Sequence, residues 1–407
     1  MGGGFAGLNL VKKLDTRLFD VLLIDKINHH QFQPLFYQVA ASQVEPSSIS
    51  FPFRFIFRHY KDIRIRLASV TRVNIKESTI ETSIGVMEYD ILVLAMGCTT
   101  NFFGNKEIQQ HSLTLKTTYD AINIRNHILQ TFEDIINTPE SENEALLNIV
   151  IVGAGPTGVE LSGAFSEIKK NILPRDFHRI DFSRLKIILI EGSDHTLNAM
   201  SEKSHRDSRK YLEKMGVELL TDTIVTSYDG QELKTNTGKV IKTRSVIWAA
   251  GVIANEITGI PKEVLQRGNR IKVDRFNKME GSDNIYVLGD MAHMETPAYP
   301  HGHPQLANVA INQAKNLAAN LKSLEKGRPV KEYEYKDRGT MATVGHNKSV
   351  VDFPFMHLKG LPAWLIWMFL HLMLILSVRN KLIIFINWAW AYVTRNTALR
   401  IILKDPK

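Results

Sequence analysis

One cysteine, Cys98, is present in 407 residues. That excludes an intrachain disulfide framework and any chemistry needing a redox pair of thiols. No Lys/Arg block interleaved with aromatics occurs, and no nucleic-acid motif is found, so a nucleic-acid partner is not expected. No charged n-region followed by an apolar h-region opens the chain, and no low-complexity tract interrupts it. Acids are in deficit: 42 Asp and Glu stand against 50 Lys and Arg, a net charge of +8. That balance favours an anionic partner such as a phosphate-bearing cofactor or an anionic membrane surface. What is present, 44% apolar and 23% charged residues, suits a globular protein with a proper core. The length suits two or three domains.

The stretch 148–163, Asn-Ile-Val-Ile-Val-Gly-Ala-Gly-Pro-Thr-Gly-Val-Glu-Leu-Ser-Gly, reads as an apolar strand, a glycine-rich turn and the start of a helix. Gly153, Gly155 and Gly158 have the G-x-G-x-x-G spacing of a dinucleotide site. The first glycine allows the tight turn, the second lets backbone approach a pyrophosphate, and the third lets helix pack on strand. The pyrophosphate would rest on free N–H groups at the positive end of the helix dipole. The acid expected on the ribose is Glu191, at the end of a strand 185–190. It lies 33 residues after Gly158, longer than the usual ~20, so the basic segment 169–184 reads as an insertion. An acid there repels a 2′-phosphate and favours NADH over NADPH, since Gly192, Ser193 and Asp194 bring no cation.

A second fingerprint lies at Gly2, Gly4 and Gly7, with a helix over 5–14, a strand over 21–24, and Asp25 18 residues after Gly7. Such a unit needs a strand ahead of its first glycine, at the centre of the sheet. The sequence opens at Met1-Gly2, so the expectation is that this strand precedes Met1 in a longer chain. The alternative is a protein with a crippled first site.

Further along, 29–41 reads as a loop into a helix, 63–73 and 79–82 as strands, and 89–95 as a buried strand ending at Met96-Gly97. A helix is expected over 119–137. Residues 217–221, 223–228, 232–235 and 240–243 read as a meander. The strand 245–250 ends at Gly251 and echoes 89–97, as two copies of one cofactor-binding plan would. Strand 284–288 delivers Gly289-Asp290, whose carboxylate can reach cofactor hydroxyls, and a helix follows over 305–324. The pairs His29/His30 and His301/His303 lack further ligands at metal spacing, and no metal is expected.

The C-terminal end carries an uncharged run, 361–378, at the lower limit for a spanning helix, then a second apolar stretch, 382–393, with Asn387 and two tryptophans. Residues 377–407 hold six Lys/Arg and one acid. That is the pattern of a helix pair lying on an anionic bilayer; a spanning helix and a buried dimer helix are the alternatives.

Two fingerprints, a Gly-Asp element and an apolar C-terminus together resemble the type II NADH dehydrogenases. These are single-subunit, non-pumping NADH:quinone oxidoreductases of the two-dinucleotide-binding flavoprotein superfamily. The segments 2–10, 32–40, 153–163, 248–252, 289–292 and 345–348 fall in family order. The resemblance implies an α/β fold with two Rossmann-like domains, for FAD and NADH, plus C-terminal membrane-associated helices. The expected layout is 1–115 and 269–340 for FAD, 116–268 for NADH, and 341–407 for membrane anchoring and dimerisation. It implies that Gly2, Gly4, Gly7, Asp25, Gly97, Asp290 and Ala307 hold FAD, and that Gly153, Gly155, Gly158, Glu191 and Gly251 hold NADH. Glu160, Lys348 and Asn308 are then the catalytic candidates at the nicotinamide and quinone. It also implies a membrane quinone, a lipid surface on the cytoplasmic face of the cell membrane, and a homodimer. Asn308 departs from the family's Gln, and Met96 from its Thr. A lone cysteine sets the disulfide and sulfide:quinone reductases aside. The rivals that remain are a soluble ferredoxin or rubredoxin reductase and a degenerate NADH-binding scaffold.

Overall fold

The computed structural model describes residues 1–178, 181–397 and 399–403. The chain forms two units, 1–31, 51–99 and 252–336 in one and 32–50, 100–251 and 337–407 in the other.

The second unit is built on a five-stranded parallel sheet. Its order is Leu113–Thr114, Ser245–Trp248, Asn148–Val152, Lys186–Ile190, Val217–Leu220. The central strand sets Val150 opposite Ile188 on one side and Val246 on the other. Ile149, Val150 and Ile151 are fully buried, which is why this strand reads as a continuous apolar run rather than an alternating one. The helix Pro156–Asn171 leaves its C-terminal end. Thr118–Asn137 is a second long helix, started by a capping box of Thr117 and Asp120. The meander is three strands, Val225–Tyr228, Glu232–Thr235 and Val240–Lys242. Val217–Leu220, expected in it, instead extends the parallel sheet beside Lys186–Ile190. Its apolar residues serve either partner equally well in sequence.

The same unit ends in an antiparallel sheet, Thr340–Gly345, Lys348–Phe353 and Met356–Lys359, and two helices, Leu361–Leu374 and Val378–Thr394. The first of these is shorter than the run 361–378, because the chain turns extended at Ile375. The second starts earlier than residue 382 and takes in Arg379–Lys381. Asn380 docks it by donating to the carbonyls of Ser47 and Ser48, 3.2 and 2.9 Å. Among the described residues no helix is long and apolar enough to cross a membrane.

In the first unit Val21–Asp25 pairs in parallel with Ile63–Leu67, and Leu92–Leu94 with Ile285–Val287. The expected strand 63–73 is two strands, Ile63–Leu67 and Val70–Asn74. Met1–Gly2 bridges the ends of Val21–Asp25 and Leu92–Leu94: Gly2 donates to Ile24, Met1 to Val93, and Ala95 to Met1. A cavity of about 490 Å³ is lined by residues of both strands. The helix Phe5–Val11 is shorter than 5–14 and packs on Ala307–Leu324 through Ala6, Ala310 and Ala314, all buried.

Candidate functional site

The two fingerprints have the same geometry. Gly153 sits at φ +102°, and a Cβ there would lie 2.7 Å from the Ala250 backbone. A Cβ on Gly158 would meet the Gly153 carbonyl at 1.9 Å, and one on Gly7 the Gly2 carbonyl at 1.8 Å. These glycines let each helix close on its own turn. By contrast, nothing stands within 4 Å of a Cβ built on Gly4 or Gly155. Those two positions are the N-caps of Phe5–Val11 and Pro156–Asn171, and neither helix has a side-chain cap or an acid in its first turn. Free donors beside open space fit a pyrophosphate, so the residues present suit a dinucleotide at both loops.

The paired acids are equivalent as well. Asp25 accepts from the Gly3 and Ile27 N–H groups, 2.6 and 2.9 Å. Glu191 accepts from Ala154 and Ser193 N–H, 2.6 and 3.0 Å. Each carboxylate therefore binds the middle residue of its own G-x-G and the residue two beyond itself. The longer spacing to Glu191 arises because the helix runs on to Asn171 and two short helical turns, Leu173–Asp176 and Phe182–Arg184, precede the strand.

Asp290 lies in the turn Gly289–Met291 and accepts from the Cys98 thiol at 2.9 Å. Gly289 N–H donates to the buried Gln313 side chain. Gly97, at φ +70°, accepts from Asn255 N–H. Ala307 and Asn308 open the helix Ala307–Leu324, and Asn308 accepts from Asn312 at 2.9 Å. Gly251, at φ +81°, accepts from Asn101 N–H in the second unit.

Glu160 lies on the first turns of the fingerprint helix and is 9% exposed. Burial pushes its carboxyl up to about 8, opposed by the Thr343 N–H and the Trp367 indole beside it. Its neighbour Gly163 explains the close packing: a Cβ there would lie 1.5 Å from the Val344 carbonyl. Glu160 lines a pocket of about 110 Å³ with Tyr37, Gln38, Trp367, Trp388 and Tyr392. Gln38 is held there by the Trp388 indole N–H at 2.8 Å. Two turns along the helix, Glu167 lines the same pocket, and burial raises its carboxyl also. It accepts from His346 N–H at 2.6 Å. Lys348 is close by, donating to the His346 carbonyl at 3.3 Å, and burial lowers its pKa. Burial and the cations Arg395 and Lys348 lower His346 to about 4, so its ring is neutral near pH 7.

The sequence singled out Glu160 and Lys348 but not Glu167, His346, Trp367 and Trp388, which line the pocket with Glu160. Glu167 carried a signal, seven residues after Glu160 on one helix face. The tryptophans carried none, since a core helix looks the same.

A fold of this kind, with two G-x-G-x-x-G loops each answered by a strand-end acid, defines a flavin- and pyridine-nucleotide-dependent oxidoreductase. Residues 1–314 match the family described as pyridine nucleotide-disulphide oxidoreductase, and residues 338–395 match the NDH2 C-terminal domain. A type II NADH:quinone oxidoreductase, Ndh, of Mycobacterium tuberculosis is 32% identical over 98% of this chain and 89% of its own length. A type II NADH:quinone oxidoreductase of Staphylococcus aureus is 27% identical over 86% of this chain and 88% of its own. NDH2 of Plasmodium falciparum, solved with NADH, shares the fold at a TM-score of 0.90 and 20% identity, covering 99% of this chain and 98% of that one. The chain belongs to the type II NADH:quinone oxidoreductase family.

Proposed function

We propose that this chain is an FAD-dependent NADH:quinone oxidoreductase that moves two electrons from NADH to a membrane quinone without pumping protons. The observation that carries the reading is the duplicated fingerprint with its acid, joined by one helix to the buried Glu160. Bound FAD supplies the hydride acceptor and the electron donor. The chain's own residues bind and orient. Gly2, Gly4, Gly7, Asp25, Gly97, Asp290 and Ala307 take FAD. Gly153, Gly155, Gly158 and Gly251 take NADH, with Glu191 on its ribose, where an anion repels a 2′-phosphate. Reducing a quinone to a quinol consumes two protons. Glu160, neutral at pH 7, can release one into the pocket it lines, and Lys348 supplies a cation that favours a developing quinol oxygen anion. Asn308 takes the place of a longer amide and contacts quinone or flavin through water.

The helices Leu361–Leu374 and Val378–Thr394 expose Leu365, Phe369, Met373, Leu382, Phe385, Ile386 and Trp390. Arg379 and Lys381 sit in the first turn of the second helix, where its own dipole disfavours cations. An anionic lipid surface compensates them. This supports a monotopic attachment on the cytoplasmic face of the cell membrane, with a homodimer formed through the same region. The test is oxidation of NADH by the purified protein with a short-chain quinone analogue. Quinone-dependent turnover is expected; no turnover at full flavin occupancy overturns the proposal.

A further inference from the structure

Arg125, on the helix Thr118–Asn137, is 2% exposed, and among the described residues its Nε and Nη2 have no hydrogen-bond partner. A buried guanidinium with unused donors carries the full cost of its desolvation. It lines a cavity of about 360 Å³ in the second unit, far more than the ~15 Å³ one water needs. The rest of the lining is mixed: Leu129, Phe132, Leu173, Phe177 and Ile402 give it an apolar stretch, and Ser42, Glu133, Asp176 and Arg400 are polar.

The other charges at this cavity are committed or peripheral. Arg400 is held by Asp176 through two contacts, 2.7 and 3.1 Å. Glu133 is at the exposed edge. Burial lowers the proton affinity of Arg125, and the Glu45 carboxylate raises it without bonding to Nε or Nη2. Ile168 lines both this cavity and the Glu160 pocket, so it is a shared wall between two separate spaces.

We infer that this cavity binds a long-chain carboxylate, its head on the Arg125 guanidinium and its chain along the apolar wall. A guanidinium presents parallel N–H donors that match a carboxylate bidentately. A head with a second negative charge would face Asp176 and Glu133. An uncharged chain would fill the apolar part and leave the Arg125 donors unused.

The test is calorimetric titration of the flavin-loaded protein in uncharged detergent with laurate, dodecanol and dodecyl phosphate. Laurate is expected to bind at one equivalent, at least 10-fold tighter than either analogue. Arg125→Gln is expected to weaken laurate at least 10-fold while NADH oxidation without laurate is unchanged. Leu129→Trp, which fills the apolar part and keeps the charge, is expected to weaken it as much, and decides the matter if Arg125→Gln does not fold. No laurate binding, equal binding of laurate and dodecanol, or wild-type affinity in the variants overturns the inference. Native mass spectrometry of the protein as isolated separates the sources: a fatty-acid adduct supports it, and a phospholipid adduct overturns the carboxylate assignment.

Discussion

Glu160 shows how burial alone can keep the carboxyl of an ordinary helix residue protonated near pH 7. Its carboxyl titrates at about 8 because the fingerprint helix is pressed between two sheets. If it supplies a quinol proton, turnover stays level up to about pH 8 and falls above it as the carboxylate forms. Glu160→Gln should lose about 100- to 10,000-fold in kcat, the usual range for a positioned acid, together with that alkaline limb. Stability gives an independent check. Below about pH 4.5, the carboxyl's ordinary value, it is protonated folded or unfolded, and the neutral side chain costs nothing extra. Between 4.5 and 8 only the unfolded chain releases the proton, so stability falls by about 1.4 kcal/mol per pH unit from this group. Glu160→Gln lacks the slope, so its thermal midpoint should match wild type near pH 4.5 and exceed it most near pH 8; parallel curves would contradict the assigned burial. If Glu191 takes the ribose of NADH, Glu191→Gln removes the charge that would repel a 2′-phosphate. The ratio of kcat/KM for NADPH over NADH should rise at least 10-fold, measured with one quinone analogue for both.

At the scale of elements, the helix Pro156–Asn171 is the part that links the sites. Its N-terminus closes the fingerprint turn, its second turn carries Glu160, and its later turns carry Glu167 against His346. Gly163 makes this possible by letting the strand Thr340–Gly345 approach within contact of the helix backbone. Gly163→Ala gains helix propensity, worth about 1 kcal/mol, but forces a Cβ into the Val344 carbonyl. The clash should win, because overpacking costs about 1–3 kcal/mol and more where backbone meets a Cβ, so the variant should be less stable than wild type in urea denaturation. A stabilised variant would mean that the two elements separate at low cost. The equivalent contact was not legible in the sequence, because nothing local distinguishes a glycine that faces a strand 181 residues later.

For the whole molecule, the proposed attachment to lipid rests on the two C-terminal helices. Phe369 and Phe385 are 63% and 50% exposed, and exposed apolar area of this kind marks a surface that meets a protein or a membrane. Replacing both with glutamate should move the protein from the pellet to the supernatant in sedimentation with anionic vesicles, while NADH-dependent reduction of a water-soluble quinone persists. Salt alone should weaken attachment only in part, because charge pairing is screened and apolar burial is not. Full release by salt would assign attachment to the cations instead.

The sequence by itself determined the two fingerprints, their acids and the cofactor class. Each is a local device, fixed by glycine spacing and by a strand-turn-helix pattern that no distant residue can alter. It also determined that a thiol pair could not take part, from composition alone. Only the tertiary structure decided that Val217–Leu220 joins the parallel sheet, that the run 361–378 breaks at an extended Ile375, and that Trp367 and Trp388 line one pocket with Glu160. It alone placed Arg125 in a cavity with its donors unused. The reason is physical: burial, and the pKa or unmet hydrogen bond that burial creates, depends on neighbours far apart in the chain, which residue type and period do not encode.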